Sequence, residues 1–180
     1  MKLKARNDNV FIVRKEKEKK HSGINISEGA QVKSHIGVIK SCVNDKFVGK
    51  EVHVPHYGVE DVEIRGEEFA VTNINRIFAI RDVGETTWKP VNRYVKVRKC
   101  VNDHVRDKDG DIALYMTENH IEFTNWVQVI DIDEDCESMN KRYIGMFCVA
   151  PEDSEKLARL EYSKEFMLHE DEIKFVTTGD

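Results

Sequence analysis

Val10-Phe11-Ile12-Val13, followed at residues 36–39 by Ile36-Gly37-Val38-Ile39 and at residues 51–54 by Glu51-Val52-His53-Val54, sets the reading of the fold. Each run is short and rich in β-branched or aromatic residues, the pattern of a strand in a pleated, half-buried sheet. The same kind of run continues through Glu68-Phe69-Ala70-Val71, Ile77-Phe78-Ala79-Ile80, Tyr94-Val95-Lys96-Val97 and Trp126-Val127-Gln128-Val129-Ile130. It closes with Met146-Phe147-Cys148-Val149, Phe166-Met167-Leu168 and Ile173-Lys174-Phe175-Val176. Helical periodicity is scarce, with Ser154–Leu160 offering at most one helical turn. The chain is therefore expected to be all-β, built as small barrels or sandwiches.

The runs recur in order. Lys4-Ala5-Arg6-Asn7 and Val10 line up with Lys89-Pro90-Val91-Asn92 and Val95. Ser22-Gly23-Ile24-Asn25-Ile26 lines up with Gly110-Asp111-Ile112-Ala113-Leu114, and Glu68-Phe69-Ala70-Val71 with Glu165-Phe166-Met167-Leu168. The offset is 85 at Val10, 88 at Ile24 and 97 at Phe69, drifting one way as it does for two copies of one fold with insertions in the second. This places module 1 at residues 1–83 and module 2 at residues 84–180, joined near the polar Asp82-Val83-Gly84-Glu85-Thr86.

Composition narrows the function. The chain has 180 residues, 40% hydrophobic and 34% charged, with 28 Lys+Arg against 33 Asp+Glu and a net charge of −5. An acidic, interleaved surface does not suit phosphate neutralisation, so nucleic acid is not the expected partner. No apolar run approaches a membrane span. The start, Met1-Lys2-Leu3-Lys4-Ala5-Arg6, lacks the apolar core of a signal peptide. Cys42, Cys100, Cys136 and Cys148 form no CxxC pair, which fits reduced thiols acting as small core hydrophobes. A cytoplasmic setting is expected.

Two polar stretches follow the first strand of each copy: Glu16-Lys17-Glu18-Lys19-Lys20-His21-Ser22, and residues 101–109. Neither can bury enough apolar area to order itself. Each ends near a glycine and a pair of branched aliphatics two positions apart, Ile24 and Ile26 after Gly23, then Ile112 and Leu114 after Gly110. Each pair either begins a strand that points into its own barrel or is exposed for a partner.

These residues give module 1 a resemblance to the GroES-type co-chaperonins. Lys4 and Val10-Phe11-Ile12-Val13-Arg14-Lys15 are similar to that family's first strand. Ser22-Gly23-Ile24-Asn25-Ile26 sits at its mobile loop. Tyr57-Gly58-Val59, Ile64-Arg65-Gly66-Glu67-Glu68-Phe69 and Ile77-Phe78-Ala79-Ile80 resemble its closing half. Module 2 keeps Lys89-Pro90, Val95-Lys96-Val97, Ile112-Ala113-Leu114 and Lys164-Glu165-Phe166. The resemblance implies two tandem GroES-like irregular β-barrels, as in chloroplast tandem forms. With no transit peptide in view, a bacterial or phage-infected cytoplasm is the expected source. It also implies an oligomeric ring capping a GroEL-type chaperonin around an unfolded client. The chaperonin-binding residues would be Gly23, Ile24, Asn25, Ile26, Gly110, Ile112, Ala113 and Leu114.

Two features depart from the family. Asn25 replaces an aliphatic residue of the loop tripeptide. The links Ser41–Lys50 and Asp131–Tyr143 are too short for the family's roof hairpin, so the implied dome is open, as in some phage co-chaperonins. Family rings have seven modules. A two-module chain implies an even-numbered ring, one engaged module per chain, or two tiers. The other reading is a binding module of the same fold without capping, as a chaperonin decoy or structural virion protein.

No enzyme signature competes. Asp131-Ile132-Asp133-Glu134-Asp135 has the start of a calcium loop but Cys136 at its sixth place and Arg142 at its twelfth. His53 and His56 lack further ligands at metal spacing and read as surface or strand-edge residues. There is no nucleotide-binding glycine motif and no nucleophile elbow. GroES-like domains also occur in zinc alcohol dehydrogenases, but those carry a nucleotide-binding domain and catalytic Cys and His ligands. No cofactor, metal or catalytic residue is expected, and Trp88 and Trp126 read as core or inter-module packing.

If the two polar stretches await a partner, amide exchange on the isolated protein will find residues 16–26 and 103–114 exchanging far faster than the strands. Protection equal to that of the strands would place the aliphatic pairs in the barrel interior.

Overall fold

A computed structural model of the chain describes residues 4–15, 35–54, 57–101, 123–151, 160 and 164–178. The described residues are all-β, in two sheets with short 3-10 turns. The chain divides into two compact units, Met1–Lys89 and Pro90–Asp180.

In the first unit, β1 (Asn9–Arg14) is central. It pairs antiparallel with β2 (Ile36–Ser41) on one side and with β5 (Glu67–Asn73) on the other. β2 pairs with β3 (Glu51–His53), and β3 with β6 (Ala79–Arg81). β4 (Glu60–Ile64) pairs with β5 through a two-residue turn in which Arg65 (φ 57°) and Gly66 (φ 81°) are both left-handed, the type I′ geometry. The two-residue β7 (Lys89–Pro90) ends the order β4-β5-β1-β2-β3-β6-β7, where the chain passes into the second unit. Alternation along β1 turns Val10 and Ile12 into the core, where Ile39, Val52 and Ala70 are also buried.

The second unit has the order β10-β9-β8-β11, with β8 at Tyr94–Val101, β9 at Phe123–Ile132, β10 at Phe147–Val149 and β11 at Glu165–His169. β8 pairs with β9 and β11, β9 with β10, and Phe147 of β10 bridges Thr177. Val95, Val97, Val129, Cys148, Phe166 and Leu168 belong to its core.

Hydrogen bonds of the first unit recur here. A register shift falls between Phe11 and Ile12 and again between Lys96 and Val97. Asn44 caps the 3-10 turn Asp45–Phe47 by accepting from Lys46 N–H, and Asn140 caps Lys141–Tyr143 by accepting from Arg142 N–H. Gly49 (φ 85°) donates to Ile39 O at 2.8 Å, and Gly145 (φ 90°) donates to Val129 O at 2.9 Å. Only glycine reaches that backbone angle without strain. Asn73 and His169 each cap a further 3-10 turn. The links Ser41–Lys50 and Asp131–Tyr143 thus fold back onto their own sheets as capped turns.

The structure corrects four readings of the sequence. Ile173–Val176 forms no strand; only Thr177 pairs. The strand expected at Ile77–Ile80 is Ala79–Arg81, because the capped turn Ile74–Arg76 precedes it and leaves Ile77 as its C-cap. Phe166 lies opposite Val97, whereas Ile12 faces Ala70 rather than Phe69, so the two phenylalanines occupy different registers. Trp126 is 39% exposed against Phe175, not core. β4 escaped the reading because Glu60, Asp61 and Glu63 leave it without an apolar run. Ser154–Ala158 and Arg159 lie outside the described residues, although Leu160 is buried.

Gly37 shows how tightly the first sheet closes. A Cβ there would collide with Ile12 Cγ2 and sit 2.8 Å from the Val13 carbonyl oxygen. Gly37→Ala is expected to destabilise the first unit by about 1–3 kcal/mol, the usual range for overpacking. Urea unfolding followed by Trp88 emission in a Trp126→Phe background measures it.

Candidate functional site

The eight residues singled out from the sequence, Gly23, Ile24, Asn25, Ile26, Gly110, Ile112, Ala113 and Leu114, lie outside the described residues. What the structure gives is the ground on each side of them. Arg14 pairs with Gly37, and Lys15 N–H donates to Ile36 O at 2.8 Å, so residues 16–34 leave and rejoin the first sheet at one point. In the second unit Val101 pairs with Phe123 across residues 102–122. In each unit the connection joins the central strand to its antiparallel neighbour, at the sheet end away from the capped 3-10 turn.

The root in the first unit is charged and buried. Glu51, 1% exposed on β3, accepts from Lys15 Nζ through one carboxylate oxygen. Its other oxygen accepts from Arg81 Nε at 2.9 Å, with Arg81 Nη2 at 2.8 Å. Burial pushes the Glu51 carboxyl up, but the bonds from Lys15 and Arg81 outweigh it and hold the group below its ordinary 4.5. Arg81 also lies over Trp88, its guanidinium carbon 4.2 Å from the ring centroid. Trp88 meets His53 edge-on at 6.0 Å, and His53 stacks parallel to His35 at 6.3 Å. His35 and Lys15 flank residues 16–34, so one cluster gathers both ends of that connection.

This cluster was missed in the sequence, and His53 was misplaced by it. Far from a surface or strand-edge position, His53 is 2% exposed and packed against Phe78 and Trp88. Its place on β3 turns it to the same side as Glu51, two residues away. The signal available was that alternation: Glu51 and His53 share one face of a strand whose other neighbours are valines. His56 lies outside the described residues.

The second unit has different chemistry at the same backbone positions. The pair that carries Glu51 and Arg81 in the first unit carries Phe147 and Thr177 here. A charged cluster of this unit centres on Glu165, bonded by Arg98 Nη2 at 2.7 Å and paired with Lys96 Nζ at 3.0 Å. Among the described residues no three His, Cys, Asp or Glu gather as metal ligands, and no helix is long and apolar enough to cross a membrane. Asp131 and Asp133 are engaged with backbone N–H groups of Ile132 and Arg93. No disulfide joins the cysteines. Cys42 and Cys148 are buried, and burial pushes the Cys148 thiol up to about 11.

Residues 2–81 match the chaperonin 10 Kd subunit family, so the first unit carries a chaperonin-10 domain. No curated protein matches the chain.

Glu51→Gln keeps the shape of the root and removes its charge, leaving Lys15 and Arg81 without an anion. Each hydrogen bond to a charged group contributes about 1.5–3 kcal/mol, so the first unit is expected to lose stability on that scale, with Trp88 emission shifting as Arg81 is released. Because the folded Glu51 titrates below 4.5, its contribution is complete at neutral pH and fades as the pH falls beneath that value. The Gln variant should lose less stability on acidification than the native protein. Acid titrations of both, read by Trp88 emission, check the sign.

Proposed function

We propose that the chain is a tandem co-chaperonin: two chaperonin-10 modules that cap a GroEL-type, ATP-dependent chaperonin ring and help retain an unfolded client, with no chemistry of their own. The observation that carries this reading is the family match over residues 2–81, joined to the recurrence in the second unit of the first unit's strand pairings, capped turns and glycine bonds. The anchors are Ile24 and Ile26 in module 1 and Ile112 and Leu114 in module 2, and the working form is a homo-oligomeric ring in a bacterial or phage-infected cytoplasm.

The energetics suit a detachable cap. One buried Ile or Leu contributes about 1.5–3 kcal/mol, while ordering a segment on binding costs about 2–5 kcal/mol. A single contact is therefore weak, and a ring binds through the linkage of many. The capped turns at Asn44 and Asn140 project no roof hairpin, which favours an open dome with room for a large client.

The test replaces Ile24, Ile26, Ile112 and Leu114 with Asp in the full chain. Binding to a GroEL-type ring with nucleotide is expected to weaken by about a hundredfold or more, and assisted refolding of a strict client to fail. Unchanged refolding would overturn capping through these residues. Native mass spectrometry of the native chain with the ring and nucleotide gives the number of chains bound.

A further inference from the structure

We infer that residues 134–139 form a strap whose backbone is latched to the second unit by one polar catch, the Glu170 carboxylate, and that releasing this catch opens the strap as a unit while the sheet beneath it stays folded. This rests on the described residues alone and stands apart from the co-chaperonin reading.

The first unit passes from β2 at Ser41 to the turn cap at Asn44 almost directly. The second unit inserts residues between the end of β9 at Ile132 and the equivalent cap at Asn140. Both ends of the insertion are tied down separately. At one end Asp133 Oδ2 accepts from Arg93 N–H at 2.8 Å, and Asp133 N–H donates to Tyr94 O at 3.2 Å. At the other, Asn140 caps its turn and Gly145 bonds Val129.

Between those ties Met139 and Cys136 pack against the core, and one carboxylate takes up the strap's consecutive N–H groups. Glu170, 1% exposed, accepts from the N–H groups of Glu137 at 3.0 Å, Ser138 at 2.7 Å and Met139 at 3.3 Å, and from the Ser138 hydroxyl at 2.6 Å. Arg93 Nε donates to the same carboxylate and balances its charge. Arg93 also faces Glu137 at 3.7 Å and Asp171 at 3.4 Å. Glu172, next along the turn, is occupied with His169 N–H. Burial pushes the Glu170 carboxyl up, but the Ser138 hydroxyl, the strap N–H groups and Arg93 together bring it to about 2. The catch therefore stays charged and closed at neutral pH. Three consecutive backbone donors depend on it, and buried donors left without an acceptor are costly. The first unit has Ile74 at the position of Glu170 and no strap to hold.

Cys136 supplies a reporter. It packs against the core from the strap, its Sγ 3.8 Å from Tyr94 O, and burial with Glu170 and Asp133 nearby pushes its thiol up to about 12. Cys148 sits in the core on β10. Peptide-resolved hydrogen exchange and maleimide labelling of the full chain, at fixed neutral pH, separate strap opening from unfolding. Glu170→Gln is expected to speed exchange of the 134–139 amides and labelling of Cys136 by roughly tenfold or more, with β8, β9 and Cys148 at native rates. Ser138→Ala, which removes one bond and keeps the carboxylate, should move the same observables in the same direction by less, and decides the matter if the Gln variant does not fold. Native rates at 134–139 in either folded variant, or Cys136 and Cys148 accelerating together, would overturn the strap.

Discussion

Each unit depends on the two ladders that its central strand makes, one along each edge. In the first, β1 takes β2 on one side and β5 on the other; in the second, β8 takes β9 and β11. All four partners come from distant parts of the chain, so closing these ladders fixes long loops before any contact rewards them. What makes the closure favourable is the alternation that turns Val10 and Ile12, or Val95 and Val97, inward to full burial. A one-residue slip would turn all of these outward. The register shift at the same place in both central strands fixes the pairing and bends the strand, and both capped turns are hung from the next strand's carbonyl at Ile39 or Val129.

On that shared backbone the two units carry different core side chains. Gly37 makes room for Ile12 in the first unit; in the second, a smaller Val97 stands where Ile12 does, beside Val127 in place of the glycine. Ala70 faces Ile12, while Phe166 faces Val97. The second unit thus packs more side-chain volume at these three positions, two valines and a phenylalanine where the first has an isoleucine, a glycine and an alanine. The buried polar groups differ as well. A buried carboxylate at one end of the first unit, Glu51, has no counterpart at Phe147. A buried carboxylate at the other end of the second unit, Glu170, has none at Ile74.

The aliphatic strands were legible because burial on one face leaves a period-two trace: β1, β2, β3, β8 and β9 fall where Val, Ile and Phe cluster. The trace fails where the physics is different. β4 is an edge strand, charged along its length, and its only sequence mark is the Arg65-Gly66 turn. Ile173–Val176 has the composition of a strand, but after the capped turn at Glu170–Glu172 its backbone makes one bridge only, at Thr177. The chaperonin-10 domain was visible in the residues of the first module. The charged root was not, because Lys15, Glu51 and Arg81 are scattered in sequence, and each alone looks like a solvated residue. Only the fold brings them onto adjacent strands, with Arg81 over Trp88.

The placement of the two buried carboxylates bears on what each unit must hold still. Ion pairs taken out of water rarely add much net stability over apolar packing, yet removing one partner is strongly unfavourable, so such groups act mainly to exclude alternative arrangements. Glu51 does this at the point where residues 16–34 leave the sheet, gathering Lys15 and, through Arg81 and Trp88, the His53–His35 stack. Phe147 and Thr177 impose no comparable constraint at the corresponding pair in the second unit. There the directional contacts are spent instead on the link at the opposite end. The two units therefore share a scaffold but differ in which end is geometrically specified: the root of the connection in one, the return turn in the other.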